Sequence, residues 1–183
     1  MRPLTVAVTG GIGAGKSEAL RAFARRGAPV LSADEVVHGL IAGDPEVRAA
    51  LEQRFGTTDR GRIGEIVFSD PEELAWLEGM LHPRVRRAEE EWFAALDEGT
   101  AVAVTEIPLL FEVGGQDRFD AVVVITAPED VRAARTARAR DARAGRLLPD
   151  EEKVARADFA YVNGGTLKEL DTFVGEVLDR LQP

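Results

Sequence analysis

Residues 9–20 read TGGIGAGKSEAL, and within them Gly10-Gly11-Ile12-Gly13-Ala14-Gly15-Lys16-Ser17 satisfies the spacing G-x-x-x-x-G-K-[ST]. The setting gives that spacing its meaning. The run LTVAV (4–8) is short, apolar and stopped by glycine, as expected of a strand buried on both faces. Beyond the loop, Ala19, Leu20, Phe23 and Ala24 share one helical face, Arg21, Arg25 and Arg26 lie elsewhere, and Gly27 supplies a terminator. APVLSAD (28–34) reads as a second strand. Strand, glycine loop, helix and strand form a βαβ unit, which builds parallel sheet with a right-handed crossover. In such a loop the glycines let backbone N–H groups turn inward around phosphate oxygens, and the opening helix adds a partial positive charge. Lys16 is then the side chain that reaches the β- and γ-phosphates, and the Ser17 hydroxyl the one that ligates Mg²⁺. The competing reading is a plain glycine turn between strand and helix, which the pattern and its context together disfavour.

Working outward, residues 35–98 are mostly helical, with start signals at Asp44-Pro45 and Ser69-Asp70-Pro71 and a turn-rich break at FGTTDRGRIG (55–64). AVAVTEIPLLFE (101–112) and DAVVVITA (120–127) return to β-branched apolar runs and read as the third and fourth parallel strands. A helix from about Glu129 through the arginine-rich stretch and a closing helix from about Leu167 to Leu181 complete a three-layer α/β domain. The whole chain, 1–183, reads as one P-loop domain, with an acceptor-binding helical insertion at about 35–98 and a short lid at about 132–148.

With 183 residues, 45% hydrophobic and 30% charged, the chain has the composition of a globular domain able to bury a core. A formal net charge of −9 repels polyanions, so a small-molecule partner is expected rather than nucleic acid. There is no cysteine, hence no disulfide and no thiol nucleophile, and no apolar run approaches the length of a membrane span. A cytoplasmic monomer or weak homo-oligomer, with no membrane partner, is the expectation. Basic residues are 20 Arg against 3 Lys, so a lysine in a special position carries more information than usual, and Lys16 is one of the three.

A GTP switch would carry an N-K-x-D segment after a later strand, and neither VTEIPLL nor VVVITAP supplies one. Asp34 follows the second strand at the carboxyl edge of the sheet, where open α/β sheets bind ligands. It reads equally as a base that accepts a proton from an acceptor hydroxyl or as a helix N-cap. Glu106 ends the third strand and reads either as an aid to Mg²⁺ or acceptor through water, or as a solvent-facing charge. His38 and His82 stand alone, and two isolated histidines make no metal site; His82-Pro83 reads as a helix break. Six arginines lie between Arg132 and Arg146. Most are surface charge, but one or two on a mobile lid would deliver positive charge to a transferring phosphoryl group while excluding water. The cluster contains no aromatic residue for base stacking.

TGGIGAGKS (9–17), SAD (32–34) with the helix holding His38, LHPRVR (81–86), PLLFE (108–112) and LPDEEKVARADFAYVNGG (148–165) together resemble the dephospho-coenzyme A kinase family. The resemblance runs in order along essentially the whole chain. It implies ATP-dependent phosphorylation of the ribose 3′-hydroxyl of dephospho-CoA, with Mg²⁺, giving CoA and ADP in the last step of coenzyme A synthesis. On this resemblance Gly11, Ile12, Gly13, Ala14, Gly15, Lys16, Ser17 and Glu18 hold the nucleotide phosphates, and Asn163 and Gly165 lie near its adenine. Asp34, matching the second Asp of a D-A-D motif, is the base. His82, Arg84, Glu106 and Leu109 belong to the acceptor side, and Arg138 or Arg140 is the lid arginine. Three departures stand out: Glu18 replaces the usual threonine, Ser32 replaces the first Asp of D-A-D, and the lid looks several residues short. The alternatives are another nucleoside or nucleotide kinase of the same fold, or a non-catalytic nucleotide-sensing module.

Overall fold

The structure, a computed structural model, describes residues 2–135 and 147–181. In chain order it runs β1 (Leu4–Gly10), α1 (Lys16–Arg25), β2 (Val30–Ser32), α2 (Ala33–Gly43), α3 (Pro45–Phe55), α4 (Arg60–Ser69) and α5 (Pro71–Ala94). It continues through β3 (Val102–Glu106), β4 (Ala121–Thr126), α6 (Glu129–Arg135), α7 (Asp150–Ala155), β5 (Phe159–Val162) and α8 (Leu167–Leu181). The chain divides into two compact units, Met1–Ser32 with Leu96–Pro183, and Ala33–Ala95.

The first unit is built on a five-stranded sheet of order β2-β3-β1-β4-β5 in which every pairing is parallel. Strands β1, β3 and β4 are apolar almost throughout because both faces are covered. On one face Val6, Val8, Val104 and Val123 pack against Ala19 and Phe23 of α1 and Leu170, Val174 and Val177 of α8. Each fully buried Val, Leu or Phe there contributes about 1.5–3 kcal/mol. On the other face Ala7, Val122 and Val124 meet Leu110 and Phe111, so this layer within the unit is a loop with Leu148 and Ala157 beside it rather than a long helix. Helix α1 ends as its sequence suggests, with Gly27 at φ +85° just past the cap.

The strand order reverses about β1, which pairs β3 on one side and β4 on the other. The glycine loop leaves the sheet at that switch point, where ligands of open α/β sheets bind.

In the second unit the Asp-Pro signals act as caps. Asp44 accepts from the Glu46 and Val47 amides at 2.9 and 3.0 Å, and Asp70 from those of Glu72 and Glu73 at 2.9 and 3.3 Å, with Pro45 and Pro71 in the first turn. Ile41, Val47, Leu51, Ile63, Val67 and Leu81 form its core. Phe55 packs edge-on against Trp76 at 5.4 Å, and Arg54 lies over the indole while pairing with Glu73 at 2.8 Å.

Four boundaries differ from the sequence reading. Strand β2 spans only Val30–Ser32, and Ala33 and Asp34 already belong to a helix. The turn-rich break is shorter, because Asp59 caps α4 through the Arg62 amide and draws Arg60–Gly64 into the helix. Helix α5 passes through Pro83 instead of breaking there. A fifth strand, β5, extends the sheet beside β4.

Candidate active site

The phosphate loop is shaped by three glycines that other residues could not replace cheaply. Gly10 has φ +144° and pairs with Ile125, whose carbonyl a Cβ would strike. Gly13 and Gly15 have φ +75° and +98°. Gly15 is the N-cap of α1 and offers no side-chain acceptor; its carbonyl closes the first turn by accepting from the Glu18 and Ala19 amides at 3.1 and 3.0 Å. Lys16 folds back over the loop and donates to the Gly11 carbonyl at 3.0 Å. Ile12 and Ala14 complete the curve, with Ala14 fully buried and its amide donating to the Gly11 carbonyl at 3.3 Å. Glu18 stays on its own helix: hydrogen bonds from Arg21 and then Arg25, at 2.9 and 3.0 Å, hold its carboxyl below the usual carboxylate range.

Ser17 and Ser32 both meet Glu106. The Ser17 hydroxyl donates to Glu106 Oε1 at 3.4 Å and the Ser32 hydroxyl to Oε2 at 3.5 Å. Register explains the meeting, since Val8, Glu106 and Ser32 are side by side in adjacent strands. Glu106 is 4% exposed, which removes the reading of a charge facing solvent. A hydroxyl and a carboxylate at the foot of a phosphate loop are hard oxygen donors of the type Mg²⁺ takes. That ion keeps several waters and needs only one or two protein oxygens besides phosphate. The lack of any cluster of three ligating side chains among the described residues is compatible with this.

Just past β5, buried Asn163 donates its side-chain amide to the Ala14 carbonyl at 2.8 Å, and its backbone N–H to the Thr126 carbonyl at 2.7 Å. It therefore braces the phosphate loop directly. Gly165 precedes a capping box: the Thr166 amide and hydroxyl both donate to Glu169, whose carboxylate lies against the Gly165 backbone. Those bonds, the backbone N–H first, lower the Glu169 pKa.

Two arginines reach the loop that the sequence reading had placed in the general cluster without singling them out. Arg135 donates to the Gly13 carbonyl at 3.3 Å, and Arg132 pairs with Asp150 at 3.1 Å beside Gly11. Spacing on α6 holds the signal, for the two are three residues apart and share a face. Arg138 and Arg140 lie outside the described residues. Behind the loop, Glu112 takes the Lys153 ammonium at 2.8 Å and the Leu148 amide at 3.0 Å, pinning the start of α7 to the segment after β3. Leu109 is half-buried in that segment, its carbonyl accepting from the Val113 amide at 3.1 Å.

The remaining sequence-marked residues lie in the second unit. Asp34 is exposed in the first turn of α2, one residue inside the helix rather than preceding it as an N-cap. His38 and His82 are exposed. Arg84 donates to the Met80 carbonyl at 3.0 Å and pairs with Glu46 at 3.2 Å.

Comparison with known proteins agrees with this geometry. The family model described as dephospho-CoA kinase matches residues 4–169. Dephospho-CoA kinases of Mesorhizobium japonicum and Brucella melitensis are 38% and 36% identical, covering 98% and 97% of this chain and 97% and 95% of their own. Among solved structures, a Thermus thermophilus protein superposes with a TM-score of 0.83 at 34% identity over the full length of both chains. A dephospho-CoA kinase from Campylobacter jejuni gives 0.70 at 27% identity over 97% and 96%. A shikimate kinase from Acinetobacter baumannii, at 0.53 and 15% identity, shares the fold. A phosphate loop with an acidic strand end behind its serine, in a sheet of this order and with these relatives, places the chain in the dephospho-CoA kinase family.

Proposed function

We propose that the protein transfers the γ-phosphoryl group of ATP to the ribose 3′-hydroxyl of dephospho-CoA, giving CoA and ADP. Family membership carries the substrate assignment, and the observation that carries the chemistry is the convergence of Lys16, Ser17 and Glu106 on one phosphate loop. The acceptor oxygen attacks the γ-phosphorus in line, the bond to the β–γ bridging oxygen breaks, and its electron pair leaves on ADP. The hydroxyl proton passes to the Asp34 carboxylate and from there to water. The loop amides and Lys16 hold the β- and γ-phosphates, so catalysis is positioning and charge neutralisation. Ser17 with Glu106 would hold Mg²⁺, which when bound neutralises phosphate charge.

Asn163 braces the loop at the nucleotide side, and Gly165 keeps the turn that follows it. His82, Arg84 and Leu109 are assigned to the acceptor, Ala33–Ala95 to binding the CoA moiety, and Arg138 or Arg140 to the lid. We read the protein as a cytoplasmic monomer or weak homo-oligomer with small-molecule partners; its net charge of −9 opposes nucleic acid, and no described helix is long and apolar enough to cross a membrane. A nucleotide-sensing module is not favoured, since the matching family and the relatives along the full chain are dephospho-CoA kinases. With MgATP and dephospho-CoA supplied together, ADP and CoA should form in equal amounts. Folded protein that makes ADP without CoA, or neither, contradicts the assignment.

A further inference from the structure

The start of α6 is held next to the phosphate loop by the sheet. Ile125 of β4 is the register partner of Gly10 of β1, so the two strands release their following segments side by side. Arg132, one turn into α6, thereby reaches the loop. A Cβ at Gly11 would lie 2.7 Å from its Nη1 and 3.2 Å from Asp150 Oδ1, so the guanidinium and its partner lie directly against the loop backbone at position 11. Arg132 and Asp150 are each 25% exposed and pair at 3.1 Å. Both line a cavity with Gly11, Ile12, Glu129 and Glu151. Among the described lining residues three carboxylates surround one arginine, and that cation is stored against a carboxylate at the edge of a loop built for phosphate.

We propose that Arg132 is a further phosphate-contacting cation of the transfer site, one that exchanges Asp150 for the γ-phosphate when a nucleoside triphosphate occupies the loop. This rests on the nucleotide reading of the loop given above. A γ-phosphate carries more charge than a single carboxylate and matches the planar fork of an arginine. The exchange replaces one charge-assisted pair by a stronger one and leaves no bare guanidinium in either state. Asp150 then acts as a competitor, so its removal should strengthen triphosphate binding, a sign opposite to that of a merely structural bridge.

The test is direct titration of a non-hydrolysable ATP analogue and of ADP, without acceptor, on the full chain and on Arg132→Ala, Arg132→Lys and Asp150→Asn, each checked by its melting midpoint. Arg132→Ala should weaken the analogue about 10-fold and ADP less than about 2-fold, and lower kcat about 100-fold. Arg132→Lys should recover part of both losses. Asp150→Asn should bind the analogue about 3-fold more tightly. An Arg132→Ala protein that binds the analogue as the parent does, or an Asp150→Asn protein that loses affinity to the extent Arg132→Ala does, overturns the proposal. Parent protein that binds the analogue but yields no CoA would instead refute the acceptor assignment and leave the Arg132 result standing.

Discussion

Replacing Asp34 with Asn should lower kcat for CoA formation about 10³-fold while ATP binds within about twofold of the parent protein. The substitution keeps shape and removes only the proton-accepting charge. Asp34 is exposed in the first turn of α2, where a negative charge favours the helix by about 0.3–1 kcal/mol, so folding should change little. A thousandfold loss corresponds to about 4 kcal/mol of transition-state stabilisation, far above that structural cost. Binding measured by nucleotide titration and turnover measured by CoA release separate the two effects. Turnover close to that of the parent would remove Asp34 as the base, and Glu106 would be the carboxylate to test next.

Lys153→Met should destabilise the protein by about 3–5 kcal/mol. Lys153 is fully buried, and its Glu112 partner is 10% exposed. Removing the ammonium leaves a carboxylate in the interior whose desolvation is no longer compensated, although the Leu148 amide still donates to it. For a chain of this size each kcal/mol is worth about 2–4 °C, so the melting midpoint should fall by about 6–20 °C. The double variant Lys153→Met with Glu112→Leu should recover part of the loss, because an apolar pair of similar volume replaces the ion pair. Recovery should be incomplete, since the Leu148 amide then has no side-chain acceptor. A single variant within about 1 kcal/mol of the parent would show that the pair is immaterial to stability.

The strand, phosphate loop and helix were legible in residues 4–27 because apolar continuity, glycine spacing and helical period agree there. The Asp-Pro starts at 44–45 and 70–71 were legible for the same reason: cap and fixed φ point to one structure. Strand β5 was not. FAYV is four residues on a sheet edge with alternating exposure, and hydrogen bonding to β4, which no local pattern reports, makes it a strand. Pro83 suggested a break, yet α5 continues through it; a proline costs one helical hydrogen bond there, and tertiary packing of Leu81 outweighs the local signal.

At the site, Lys16, Ser17 and Asn163 were named from sequence, while the contact of Asn163 with the Ala14 carbonyl came from the structure. Glu106 was undecided between catalytic and bland readings until register set it beside Ser17 and Ser32. Arg132 and Arg135 were hidden among six similar arginines, because charge composition does not report which side chains α6 turns toward the loop.

The most direct test of the central claim presents MgATP with dephospho-CoA, AMP, adenosine and shikimate together at equal concentrations and follows each acceptor by mass spectrometry at early times. The account predicts that dephospho-CoA alone gains a phosphoryl group, on its ribose 3′-oxygen, with one ADP formed per CoA. Phosphorylation of another acceptor ahead of dephospho-CoA, or ADP release with every acceptor unchanged, would contradict it.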